Sequence, residues 1–241
     1  MRVTEKAVAI IILTFSAWAI VMWLATSFQG NEPNRILRVE LGEDAAQLNQ
    51  AVAGPDNDAI AHNIEMVVRN TYMGFVFILL YWLTFVGLAM LAGRMGKRVL
   101  GACAALLITG AAVNDLLENG AILTAMRVKP FTDAVAVDIS EYSQWKWVFF
   151  FVASILLGLA IALNDRVSNV RRLSGGLFIA SGVFGLLGIM RYRVSLEYSL
   201  WMIDIGILLI AAALILTLWK IYHSIREIDR VEHMDRVHAH A

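Results

Sequence analysis

VNDLLENGAIL, residues 113–123, places Asn114, Asp115, Glu118 and Asn119 near the end of an apolar run that extends over 99–123. A run of that length is enough for a helix to cross a hydrocarbon core of about 30 Å. Asn114 and Glu118, like Asp115 and Asn119, are four residues apart, so as a helix the segment gathers all four polar side chains on one broad face. That face must point towards other protein, because ionised groups are costly against lipid. The stretch therefore reads as a membrane-crossing helix with a polar side turned into a bundle.

Composition extends this reading to the whole chain. Of the 241 residues, 59% are hydrophobic and 17% charged, and mean hydropathy is +0.66. A soluble domain carries about 45 to 50% apolar and about 25% charged residues. The apolar segments are spread from end to end, which argues for one integral unit. Twenty basic residues balance twenty acidic ones, leaving no global field to attract nucleic acid. The single cysteine, Cys103, excludes an intramolecular disulfide and is read as a small buried hydrophobe.

Six segments are apolar enough to span: 7–26, 72–92, 99–123, 145–163, 173–190 and 200–219. The expected fold is thus an all-α, polytopic bundle of six transmembrane helices. With the N-terminus in the cytoplasm, twelve Lys and Arg fall inside and eight outside. The turns GRMGKR (93–98) and NDRVSNVRR (164–172) are the most basic, which places both termini in the cytoplasm. The implied setting is a cytoplasmic membrane of bacterial type, with the lipid bilayer as first partner. Ala25-Thr26-Ser27 resembles a signal-peptidase site, but the preceding apolar run is longer than a signal core and carries Trp18 and Trp23. An uncleaved anchor is expected.

Residues 28–70 are hydrophilic, with seven acids against three arginines, and are expected to form a small cap outside the membrane. Gly54-Pro55 divides this stretch, with one helical piece at 42–52 and another starting near Asp56, a good N-cap, and continuing into the second span. Asp58, His62 and Glu65 share a helical face and are a candidate metal trio, read against a plain solvated helix start. Residues 1–219 make the membrane domain with its cap. Residues 220–241 continue the last span as an amphipathic cytoplasmic tail, with Ile221, Ile225, Ile228, Val231 and Met234 at helical spacing. His233, His238 and His240 in that tail read as solvated side chains.

At about 1.5 Å per residue, Asp115 and Glu118 stand about 25 and 30 Å from the cytoplasmic end of their helix. Arg191 and Arg193 end the fifth span at the same level, and Asp204 lies one turn into the sixth. Asn114, Asp115, Glu118, Asn119, Arg191, Arg193 and Asp204 therefore form one expected polar layer, with Arg127 nearby. Two readings of it stand side by side. One is an ion-pair network in which Asp115 meets Arg191; the other is a pocket for a small cationic or amphipathic solute or for protons. In the pocket reading Glu118, the outermost carboxylate, is reached from outside.

Small residues at three- and four-residue steps (Gly176, Ala180, Ser181, Gly185, Gly188; Gly101, Ala104, Ala105, Ala112) mark helices three and five as close-packed and central. Gly87-Leu-Ala-Met and Gly158-Leu-Ala-Ile, each followed by a basic turn, hint at a duplicated hairpin. No His-Glu-x-x-His, Gly-x-Ser-x-Gly, phosphate-binding glycine loop or Cys-x-x-Cys is present, so no cofactor is expected and an enzyme acting through carboxylates ranks last. Ahead of it stand a protein that binds or moves a small solute or protons, and a non-catalytic subunit docking a membrane-complex partner or a second copy through its cap or tail.

Overall fold

A computed structural model describes residues 16–18, 35–94, 96–128, 130–163, 168–192 and 194–239, and its regular structure is entirely helical. Seven helices follow from Arg35: α1 (Arg35–Leu41), α2 (Ala45–Ala51), α3 (Asn57–Arg94), α4 (Arg98–Arg127), α5 (Asp133–Ala162), α6 (Asn169–Arg191) and α7 (Leu196–Ala239). The five from α3 onward each contain a segment long and apolar enough to cross a membrane, which points to an integral membrane protein. The first expected span lies outside the described residues except for Ser16, Ala17 and Trp18. Ser16 is buried there, and its hydroxyl donates to Thr84 Oγ1 of α3 at 3.4 Å. Arg193 and residues 28–34 also lie outside the description, as do the side chains at the end of the tail, where α7 runs on as helix to Ala239.

Local chemistry sets the helix ends. Asp44 Oδ1 accepts from Gln47 N–H at 2.7 Å to start α2, and Asp56 Oδ1 accepts from Ala59 N–H at 2.8 Å to start α3. As expected, α3 then runs unbroken from the cap into its span. It ends in the GRMGKR turn, where Lys97 N–H reaches Ala92 O and Gly96 N–H reaches Gly93 O. This pair of bonds needs a left-handed residue, and Gly96 supplies it with φ +90°.

Each long helix packs on the next in sequence, and α5 also touches α1, α2 and α3. The hub is therefore α5, not the two small-residue helices. Its Phe151, fully buried, fits beside Gly206, where a Cβ would stand 3.1 Å from the ring. Phe85 of α3 meets Phe178 of α6 edge-on, with centroids 6.1 Å apart, and closes the centre. Close approaches recur in the two hairpins. A Cβ on Gly101 would stand 2.5 Å from Ala89 O, and one on Gly175 2.8 Å from Gly158 O. Gly176, by contrast, faces open space.

The cap is larger than residues 28–70. Val39, Leu48 and Val52 bury a second core together with Val67 of α3, Ile122 and Met126 of α4, and Ala136 and Ile139 of α5. Helix α5 begins at Asp133 because 133–143 is amphipathic: Ala136, Ile139, Ser140 and Ser143 are buried, while Asp138 and Glu141 stay exposed. A search for purely apolar runs passes over such a segment. Asp133 Oδ1 also accepts from Ala45 N–H at 2.8 Å, tying α5 to the start of α2. Cys103 corrects a second expectation. It is exposed on the outside of α4, since burial there is taken by Gly101, Ala104 and Ile108.

Candidate functional site

Three helices bring polar stripes to one level. Counted from the ends remote from the cap, Tyr81 on α3 stands about 20 Å along, Asp115 on α4 about 26 Å, and Lys146 on α5 about 24 Å. The ammonium of Lys146 is the meeting point. Its Nζ lies 2.6 Å from Glu118 Oε2, 3.0 Å from Glu40 Oε2 and 3.4 Å from Asp115 Oδ1. Asp115 Oδ2 in turn accepts from the Tyr81 hydroxyl at 3.0 Å. Side-chain exposure is 7% for Lys146 and 0% for Glu118, so this is an interior site.

Glu40 arrives from the cap. On α1 its neighbours one turn away include Leu37, and Leu41 adjoins it; both are buried in the main core. The stripe Leu37, Glu40, Leu41 thus inserts as a plug into the bundle end, and the carboxylate at its centre reaches Lys146. A second clasp holds the same segment: Gln144 Nε2 donates to Tyr192 OH at 2.6 Å, and Tyr192 OH donates to Glu43 Oε1. Burial raises the Glu40 carboxyl above its ordinary value of 4.5, Lys146 opposes that rise, and Asp115 adds to it.

Of the residues expected in the polar layer, Asp115 and Glu118 meet as anticipated on one face of α4, but their cation is Lys146, not Arg191. Arg191 is exposed at the end of α6, where its helix projects past the cluster. Asn114 turns its amide to Gly110 O on its own helix at 2.9 Å. Asn119 is buried 6% exposed against Gly74 of α3, where a Cβ would stand 2.9 Å from its Nδ2. Asp204 is partly buried on α7, outside the Lys146 contacts. The expected access to Glu118 is overturned, because Lys146 and the inserted α1 cover it. Asp58, His62 and Glu65 do share the first turns of α3, all exposed, yet among the described residues no three His, Cys, Asp or Glu side chains converge as a metal site. Two turns of helix separate Asp58 from Glu65, too far for one ion without a partner segment.

Lys146 and Glu40 are the residues that sequence reasoning missed. Lys146 opens an apolar run between Trp145 and Trp147 and falls among the eight outer Lys and Arg; its height, matched to that of Asp115, is the signal that marks it. Glu40 carries its own signal, the flanking Leu37 and Leu41.

Chemically the site is unbalanced. Among the described residues one ammonium faces three carboxylates, and Glu118 Oε1 has no hydrogen-bond partner. A buried excess of negative charge is strongly unfavourable unless a proton or a cation joins it. No family model matches this chain, and no similar curated protein or solved structure was found.

Proposed function

We propose that this is a multi-pass membrane protein that takes up and releases protons at the Lys146 cluster, beneath a cap on the outer face of a cytoplasmic membrane. The observation carrying the reading is the charge imbalance around a fully buried Glu118: among the described residues three carboxylates share one ammonium, and one carboxylate oxygen has no partner. Two neighbouring carboxylates in a low-dielectric site cannot both ionise freely, so a shared proton is the least costly way to restore balance. A small cationic solute would restore it by the same charge logic. The six-span topology with both termini inside belongs to this proposal and follows from the Lys and Arg distribution.

Infrared difference spectroscopy on the protein in lipid nanodiscs tests the charge state. The expected result is a protonated-carboxyl band that titrates with pH and is lost in Glu118→Gln. Wild-type protein without such a band at any pH where it stays folded would remove the proposal.

A second reading, a non-catalytic assembly subunit, is favoured by the contacts that fasten the cap: Glu40 to Lys146, Glu43 to Tyr192 and Asp133 to Ala45. In that reading the cluster is a staple, and the cap or tail is the docking surface for a membrane-complex partner or a second copy.

A further inference from the structure

Most of the buried side-chain polar atoms that lack a partner among the described residues collect in one layer. They are Asn70 Oδ1 on α3, Glu118 Oε1 and Asn119 Nδ2 on α4, and Ser143 Oγ on α5; the Trp147 indole N–H beside them is turned to Glu40, and Ser168 and Ser181 lie elsewhere. Their positions are contiguous. Asn70 is one turn from Gly74, against which Asn119 packs, and Gly74 lies two turns from Tyr81 on the same face of α3. Ser143, Lys146 and Trp147 share one face of α5, and the Lys146 ammonium stands 5.0 Å from the Trp147 ring.

Buried polar atoms in native proteins are almost always satisfied. The set here mixes kinds: the Asn70 and Glu118 oxygens accept, the Asn119 amide donates, and the Ser143 hydroxyl does either. A bare metal cation serves only acceptors and an anion only donors. Water serves both.

We infer that the facing stripes of α3, α4 and α5 hold a chain of ordered waters beside Glu118, so that the species exchanged at the cluster is a proton carried by water and not a desolvated metal cation. This deepens the proton reading above and rests on the same residues. The waters run from the Asn70 and Asn119 level past Glu118 to Ser143.

Hydroxyl-radical footprinting by X-ray radiolysis tests this on the full protein in nanodiscs, because bound water generates the label where it sits. Tyr81, 6% exposed, is the reporter. We expect Tyr81 to be labelled in the wild type, and labelling to fall several-fold in Asn119→Leu/Ser143→Ala while exposed Trp201 keeps its rate as the control for folding. Unchanged Tyr81 labelling in that variant overturns the water chain. So does protection of Tyr81 by added sodium or potassium, which would make the ligand a metal cation. If the double variant does not fold, Ser143→Ala alone is read in the same way. A dry layer defeats this inference and leaves the titrating Glu118 band untouched; loss of that band alone defeats the proton site and leaves the waters.

Discussion

Lys146 Nζ and Glu118 Oε2 stand 2.6 Å apart between α5 and α4, with the carboxylate fully buried. Removing the ammonium leaves Glu118, Asp115 and Glu40 facing one another in the interior. Lys146→Met should therefore destabilise the protein by roughly 3 to 5 kcal/mol, the usual cost of orphaning a buried charge. Adding Glu118→Gln should recover part of the loss. Thermal unfolding in nanodiscs measures both, and purely additive effects would mean that the two side chains are not coupled.

The Tyr81 hydroxyl donates to Asp115 at 3.0 Å. Tyr81→Phe keeps the ring that packs against Phe77 and Phe150 and removes only the donor, so about 1.5 to 3 kcal/mol is expected for a bond to a charged acceptor. In an Asp115→Asn background the same change should cost less. Equal costs in the two backgrounds would show that the bond is not made.

Acidity acts on the cap through Glu40, whose carboxyl burial lifts above 4.5. A carboxyl raised in the folded state binds more protons folded than unfolded across that interval. Its contribution is fully present below about 4.5 and is lost as pH rises through the lifted value. Thermal midpoints of wild type should thus decline relative to Glu40→Gln as pH increases from 4.5 upward. A difference between the two proteins that does not change with pH would contradict this.

Adjacent glycines on α6 give a sharp contrast. A Cβ on Gly175 would meet Gly158 O at 2.8 Å, whereas one on Gly176 meets nothing within 4 Å. Gly175→Ala should cost about 1 to 3 kcal/mol by forcing α5 and α6 apart. Gly176→Ala should be neutral or gain up to about 1 kcal/mol from helix propensity. Unfolding of the two variants side by side decides it, and equal losses would mean that α5 and α6 do not cross at Gly175.

For topology, a cysteine replacing the exposed Asn49 on α2 should react with a membrane-impermeant maleimide from outside intact cells, and a cytoplasm-dependent reporter fused after Ala241 should be active. Labelling only after the cytoplasmic face is opened would invert the arrangement.

The sequence by itself determined the helical, membrane-type architecture, because hydrophobic run length and the 3.6-residue period are local properties of the chain. It also determined the start of α3 at Asp56, the turn at Gly96 and the polar face of α4, each set by residues within a turn of one another. Tertiary structure alone decided which cation Asp115 and Glu118 meet. Arg191 ends a helix that projects past the cluster, and the packing of α4 on α5, with α1 inserted at the bundle end, makes Lys146 the partner and buries Glu118. The extent of the cap was hidden for a related reason. Residues 133–143 bury one face against α1 and α2, and burial of one face in two depends on the neighbour, which a hydropathy count along a single chain does not contain.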